Sequence, residues 1–345
     1  MQIFDNVVGA GHETVVFCHD RASGLRAVVA IHSTALGPAL GGTRMRAYAN
    51  EDDAVTDVLR LSRGMSYKNA TAGLALGGGK AVILGDPRTD KTHALLEAYG
   101  RAVHRLGGAY LTAEDVGTTQ TDMDAIKSVT PYVTGATGGS GDPSPATALG
   151  VFHAITATLR FLGDSDLSTS HVVVLGVGKV GGDLVDHLVE AGARVTISDV
   201  DPVRVADVAT RTGAAIVGVD EAHRVPCDVF SPCALGGILN ELTIPQLECR
   251  AVVGAANNQL AVDADGDRLA ARGVLYAPDY VVNAGGVINI FDELQDGGYE
   301  PDRARRAVEA VATNLTTVLE VARADLITPA EAADRVAELR LGLTP

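Results

Sequence analysis

His171-Val172-Val173-Val174-Leu175-Gly176-Val177-Gly178-Lys179-Val180-Gly181 runs from a short apolar segment straight into three spaced glycines. Its first five residues have the length and β-branched content of a strand buried on both faces. The glycines that follow carry no side chain to keep backbone amides from a ligand. Val185, Leu188 and Val189 then recur at helical spacing, and a second β-branched run, Val195-Thr196-Ile197-Ser198, ends in Asp199. A bare G-x-G-x-x-G is often only a packing turn. Strand, glycines, helix, strand and terminal acid in this order make a dinucleotide-binding β-α-β unit of the Rossmann type. The pyrophosphate is expected on the helix N-terminus, over Gly176, Gly178, Lys179, Val180 and Gly181. Asp199 stands roughly 20 residues past the motif, where an acid bonds ribose hydroxyls and repels a 2'-phosphate, so NAD is expected over NADP. Arg204 on the next helix either softens that preference or is a solvated charge.

Working outward, Val229-Phe230 and Ala251-Val252-Val253 read as further strands of the same doubly wound sheet. Their ends, Ser231-Pro232-Cys233-Ala234 and Gly254-Ala255-Ala256-Asn257-Asn258, fall on the edge where such sheets bind ligands. Ala255, Asn257 and Asn258 are therefore candidate contacts, although paired asparagines also suit turns and helix caps. Asn283-Ala284-Gly285-Gly286 repeats this chemistry ahead of a helix that starts with Val287 and Ile290. From Pro301 on, the pattern is helical, broken at Thr328-Pro329, and reads as packing and assembly surface.

Upstream, residues 135–145 turn to Gly, Ser, Asp and Pro, the composition of a linker, before a helix pattern from Ala146 to Leu162. The boundary is placed there. Residues 1–144 are expected to form a catalytic domain, and residues 145–345 a dinucleotide-binding domain whose last helices can pack back on the first. Thr14 to Cys18 and Ala27 to Ile31 read as a hairpin, while Thr34 to Thr43 is too rich in glycine for a regular element. Asn50 suits an N-cap, and Ala54, Val58, Leu61 and Met65 form an apolar stripe that Lys68 prolongs. A lysine on that face calls for an anion.

Gly77-Gly78-Gly79 reads as a side-chain-free loop that sets Lys80 at the mouth of the strand Ala81 to Leu84, or else as a flexible connection with a solvated lysine. Helical patterning from Lys91 to Leu106 leads to the strand Tyr110 to Ala113, which ends in Glu114-Asp115. A β-α-β unit of this kind sets Lys80 and Asp115 side by side. A desolvated lysine has a depressed pKa and acts as a base near neutrality, while a nearby carboxylate shuttles protons. The pair suits amine and carbonyl chemistry.

The fold class is thus α/β, a mixed-sheet N-terminal domain plus a Rossmann-type domain with a cleft between them. At 345 residues the chain is long for one core, and 46% apolar residues suffice for two. A net charge of -15 and a pI near 4.9 argue against nucleic acid or an anionic membrane as partner. Cys18, Cys227, Cys233 and Cys249 form no CxxC pair and have no histidine at zinc spacing, so no metal site is read. No basic leader and no apolar run of ~18 residues is visible, and a cytoplasmic location is expected.

With these residues quoted, the chain resembles the glutamate/leucine/phenylalanine/valine dehydrogenase family, and is most similar to its branched-chain members. The likeness rests on Gly41-Gly42-Thr43-Arg44, Met65-Ser66-Tyr67-Lys68, Gly77 to Lys80, Glu114 to Gly117, Ala255 to Gln259 and Ala277 to Gly286. It implies reversible oxidative deamination of an L-amino acid with NAD and water to a 2-oxo acid, ammonia and NADH. By that resemblance Lys68 pairs with the substrate carboxylate, Lys80 activates water or polarises the carbonyl, and Asp115 moves protons at nitrogen. Asn258 holds substrate or nicotinamide, and Thr147 contacts the nicotinamide amide. Leu40 and Ile290 stand where glutamate-specific members carry a lysine and a serine. With Gly41, Met65, Ala113 and Val287 they imply an apolar pocket for valine, leucine or isoleucine, in which an unpaired carboxylate is disfavoured. A homo-oligomer, a dimer or larger, is expected. The alternatives are a phenylalanine dehydrogenase, or a silent NAD-binding regulator that kept the fold and lost the chemistry.

Overall fold

The computed structural model describes residues 7–9, 11–164 and 166–343. They fall into two compact units. One holds the chain up to Asp142 with Ile290–Pro301 and the segment from Ala337 on; the other holds Pro143–Asn289 and Asp302–Val336.

In the first unit β1 (Thr14–Asp20) and β2 (Leu25–Ser33) form the expected antiparallel hairpin. With β3 (Ala39–Arg46), β4 (Gly77–Leu84) and β5 (Tyr110–Glu114) they make a mixed sheet in the order β1-β2-β4-β3-β5. β4 is antiparallel to β2 and parallel to β3, which is parallel to β5. Helices α1 (Glu51–Thr71), α2 (His93–His104) and α3 (Gln120–Lys127) complete it. Strand alternation sorts the layers. Ala27, Val29, Ile31, Ala81 and Ile83 cluster with Leu95, Leu96 and Tyr99 of α2, while Val28, Ala30 and Val82 cluster with Ala54, Val55, Val58 and Leu59 of α1. Lys80, two positions before Val82, therefore lies on the α1 side of the sheet. Asn50 caps α1 as expected, accepting from the Asp53 amide at 2.9 Å.

Three local readings are corrected here. Gly77 to Gly79 are not a loop but the first residues of β4. A Cβ on Gly78 would lie 2.0 Å from the Ser66 nitrogen of α1, and one on Gly79 2.7 Å from the Tyr110 ring. Close packing of neighbours demands glycine inside this strand and overrides its weak strand propensity. Gly41 and Gly42 likewise belong to β3, where a Cβ on Gly41 would lie 1.8 Å from the Gly79 carbonyl oxygen. The third correction concerns the face of α1: Ala54 and Val58 of the expected stripe are buried, but the buried face continues through Val55, Leu59, Ser62, Ser66 and Ala70, leaving Leu61, Met65 and Lys68 half-buried at its border. Polar Ser62 and Ser66 turn inward because His12 Nε2 and His32 Nδ1 each meet a serine hydroxyl at 2.8 Å, a pairing that hydropathy spacing does not register. The β4–α2–β5 crossover also skips a strand, since β3 lies between β4 and β5.

The second unit opens with α4 (Ser144–Phe161), followed by β6 (His171–Leu175), α5 (Lys179–Glu190), β7 (Arg194–Ser198) and α6 (Pro202–Thr212). Strands β8 (Ala215–Ile216), β9 (Cys227–Pro232), β10 (Cys249–Val252) and β11 (Leu275–Tyr276) complete an all-parallel sheet ordered β11-β10-β9-β6-β7-β8. The order reverses direction between β6 and β9, which is where open α/β sheets bind their ligands. Helices α7 (Ala264–Ala271), α8 (Asp279–Val282), α9 (Gly285–Asp292), α10 (Pro301–Val308), α11 (Ala310–Asp325) and α12 (Pro329–Leu341) follow. On α12, Arg340 Nη1 donates to the carbonyls of Ala70 at 2.6 Å and Thr71 at 2.9 Å, and Glu338 accepts from the Tyr67 hydroxyl at 2.8 Å. The two Arg340 contacts add a side-chain cap to carbonyls at the end of α1. Among the described residues no helix is long and apolar enough to cross a membrane, and no group of His, Cys, Asp and Glu is suited to a metal ion.

Candidate active site

Lys80 is 7% exposed in the middle of β4, and its Nζ lies 2.6 Å from Asp115 Oδ2. Asp115 is the first residue beyond β5, in a turn held by Thr118, whose hydroxyl accepts from the Asp115 amide at 3.0 Å and donates to the Thr43 carbonyl at 2.9 Å. The two groups that sequence chemistry paired are thus in contact. Burial pushes the Asp115 carboxyl up, but the charges of Lys80 and then Arg44, with hydrogen bonds from Lys80 and the Val116 amide, outweigh it and hold the group below the usual carboxylate range.

Arg44 received no role from the sequence, yet its Nε lies 3.3 Å from Asp115 Oδ2 and its Nη1 3.0 Å from Asp57 Oδ2 on α1. The same Asp57 oxygen accepts from the Tyr48 hydroxyl at 2.8 Å. The chain of groups Tyr48, Asp57, Arg44, Asp115 and Lys80 crosses from α1 over β3 to β5 and β4. The signal in the sequence was its place in Gly41-Gly42-Thr43-Arg44; the strand that the structure shows there puts Arg44 two residues from Gly42 on one face. Gly42 is itself required there, since a Cβ on it would lie 2.8 Å from Asp115 Cβ.

Lys68 is half-buried in the last turn of α1. Leu40 and Ala113 are buried, 1% and 3% exposed, in β3 and β5. Gly41 accepts from the Tyr110 hydroxyl at 2.6 Å, and Met65 Cγ lies 3.4 Å from where a Gly41 Cβ would sit, so these two are brought together. Val287 is buried and Ile290 half-buried one helical turn apart on α9.

In the second unit the three motif glycines divide their work. Gly176 is left-handed, φ 97°, against Ala234, and a Cβ on Gly181 would lie 1.9 Å from the Gly176 carbonyl oxygen. Gly178, the N-cap of α5, faces open space. That is the cradle a pyrophosphate needs. Lys179 is exposed and Val180 half-buried at the start of α5. Asp199 accepts from the Val177 amide at 2.8 Å and the Asp201 amide at 3.0 Å, which ties the glycine turn to the end of β7. Arg204 is an exposed charge, its side chain 47% accessible, that lies 3.5 Å from both Asp199 and Asp201.

Asn283 Nδ2 donates to the Ala255 carbonyl at 3.0 Å and to Asn257 Oδ1 at 2.8 Å, which joins the ends of the two loops. Asn257 and Asn258 are exposed, and Asn258 is left-handed, φ 53°, a conformation rare outside glycine and common at ligand sites. Thr147 donates to the Pro143 carbonyl at 2.9 Å, and its Oγ1 lies 2.7 Å from where a Gly286 Cβ would sit. The lysines and Asp115 belong to the first unit, the glycine turn, Asp199 and the asparagines to the second.

Residues 12–132 match the family model described as Glu/Leu/Phe/Val dehydrogenase, dimerisation domain, and residues 138–207 and 201–333 match that of Glutamate/Leucine/Phenylalanine/Valine dehydrogenase. A leucine dehydrogenase of Geobacillus stearothermophilus is 49% identical over 345 residues, 99% of this chain and 94% of that protein. A valine dehydrogenase of Streptomyces albus is 52% identical over 338 residues, 96% of this chain and 92% of that protein. The crystal structure of an L-tryptophan dehydrogenase from Nostoc punctiforme superposes with a TM-score of 0.89 at 43% identity, covering 98% of both chains. By matched length, motif chemistry and fold, the chain belongs to the glutamate/leucine/phenylalanine/valine dehydrogenase family.

Proposed function

We propose that the chain catalyses the reversible NAD-dependent oxidative deamination of a branched-chain L-amino acid, valine first and leucine and isoleucine also, to the 2-oxo acid, ammonia and NADH. The observation that carries this reading is the 2.6 Å contact of a buried lysine with an aspartate, in a chain about half identical to leucine and valine dehydrogenases. The unit up to Asp142 takes the amino acid, and the unit from Pro143 takes the dinucleotide.

Lys68 holds the substrate carboxylate, a charge-assisted contact that fixes the α-carbon. Asp115, ionised beside two cations, accepts a proton from the substrate ammonium, leaving the amine whose lone pair assists loss of hydride from the α-carbon. NAD, when bound, supplies the hydride acceptor. Lys80, once its own proton has been lost to solvent, acts as the base for water adding to the resulting imine, and Asp115 returns a proton to the departing nitrogen. Gly176, Gly178 and Gly181 cradle the pyrophosphate, with the Lys179 and Val180 amides at the helix start. Asp199 faces the ribose, and Thr147, Ala255, Asn257 and Asn283 shape the nicotinamide end. Asn258 orients the substrate.

Leu40, Gly41, Met65, Ala113, Val287 and Ile290 supply an apolar lining without a cation. A glutamate side chain buried among them would lose several kcal/mol of hydration with nothing to replace it. We further infer a cytoplasmic homo-oligomer, supported by the dimerisation domain in the description of the matched family model.

The test is NADH formation by the purified chain with a panel of L-amino acids. Valine, leucine and isoleucine should lead in kcat/KM, with glutamate silent. A lead by phenylalanine or tryptophan would overturn the branched-chain assignment, and NAD binding without any turnover would favour a silent regulator.

A further inference from the structure

In the chain of charges described above, Asp115 Oδ2 receives both cations, Lys80 Nζ at 2.6 Å and Arg44 Nε at 3.3 Å. Arg44 in turn spans to Asp57 on α1 at 3.0 Å. Its side chain is 18% exposed, and Asp115 is equally enclosed, so neither charge is well served by water. We propose that Arg44 is a positioning residue for the reaction: tethered to Asp57, it holds the Asp115 carboxylate in place and keeps it compensated while Lys80 turns to the substrate. The proposal rests on the amino acid chemistry assigned to Lys80 and Asp115.

The physical need is specific. Lys80 cannot stay on Asp115 and also meet the reacting carbon, and a buried carboxylate whose single counter-charge departs would be strongly disfavoured. A second cation on the same oxygen removes that conflict. A guanidinium suits the task better than an ammonium, because its planar fork reaches two carboxylates at once and cannot itself give up the proton. Asp57 and the Tyr48 hydroxyl on it fix the far end, so that Arg44 is not free to follow the substrate. The groups facing Asp115 are Lys80 from β4 and Arg44 from β3, with Asp57 of α1 behind Arg44.

The sign of the pH effect follows. Ionised Asp115 is the working form, so activity is lost as pH falls through its pKa. Removing one of its two cations raises that pKa, and the loss must begin at higher pH. Arg44→Gln is therefore expected to lower kcat roughly 10- to 100-fold and to move the acid limb of kcat/KM for valine up by about one pH unit, with the affinity for NAD unchanged. Arg44→Lys, which keeps the charge and loses the fork, should fall between it and the parent in both respects. An Arg44→Gln protein of native Tm with the parent's pH profile would overturn the proposal. If Arg44→Gln does not fold, Arg44→Lys decides: parental kcat and profile would overturn it equally. A parent chain inactive with every amino acid would sink the proposed function alone. The Asp115 carboxyl titration, followed by 13C NMR and assigned with Asp115→Asn, must still move to higher pH in the Arg44 variant, and an unmoved titration would sink this proposal.

Discussion

Glycine clusters in both units, and the two clusters do opposite work. In β3 and β4, a Cβ on Gly41, Gly77, Gly78 or Gly79 would meet protein within 1.8 to 2.7 Å, so these glycines exist to let backbone and helix close on each other. In the turn after β6, Gly176 and Gly181 are similarly filled, but Gly178 opens on nothing within 4 Å. A filled glycine lets the strands bearing Lys80 and Arg44 close on their neighbours, and an open one leaves space beside the backbone. A glycine-rich motif beside a lysine is therefore not by itself a phosphate loop.

The sharpest break between the two regions is chemical. Lys80→Ala should lower kcat by about 10³ or more, roughly 4 kcal/mol in the barrier, with NAD affinity nearly unchanged. Loss of NAD binding, read by fluorescence titration, would show that the lysine belongs to the dinucleotide region. Gly78→Ala should follow, destabilising the first unit by about 3 kcal/mol, because α1 must part from β4 to admit a methyl 2.0 Å from the Ser66 nitrogen. Calorimetry showing an unchanged Tm would mean that the filled cluster has slack.

Gly178→Ala is the counterpart. Its φ of -66° suits alanine, so Tm should hold while NAD affinity falls about tenfold, near 1.4 kcal/mol. The same affinity with a lowered Tm would reverse the comparison. The smallest effect is expected at Asp199, where Asp199→Asn keeps the side chain's shape and one of the two acceptor contacts but removes the charge. NAD should bind a few-fold more weakly and NADP better, with Arg204 released to meet the 2'-phosphate. An unaltered ratio of kcat/KM for the two dinucleotides would remove Asp199 from the specificity role.

What the sequence made legible was whatever depends on neighbours along the chain. The β6 turn announced itself because strand, glycines, helix and acid follow one another, and the β1–β2 hairpin because its halves do. Lys80 and Asp115 could be paired because each ends or interrupts an apolar run. The site's remaining frame was hidden. Arg44 meets a partner 71 residues away, and its place at the end of Gly41-Gly42-Thr43-Arg44 marks it as part of a motif without saying what it touches. Ser62 and Ser66 made the inner face of α1 look polar, because the histidines that satisfy them come from the N-terminal region and from β2. The glycines of β3 and β4 were read by their local propensity, which argues for a loop. Only the approach of Ser66, Tyr110 and Ser33, invisible in one dimension, makes them strand residues. Glu293 is a similar case: it gathers the amides of Gly135 and Ser140 from over 150 residues away.

The clasp of α12 on the end of α1 also has a consequence for how the protein is made. Glu338 and Arg340 act on residues 271 and 270 positions earlier in the chain. At about 5 to 20 residues per second, the ribosome delivers them tens of seconds after the helix they close. Until then the carbonyls beside Lys68 have no cap from this source, and the whole second unit is synthesised in the interval. The first unit is thus begun first and completed last, and a nascent chain halted before residue 338 should present an α1 whose last turn still frays.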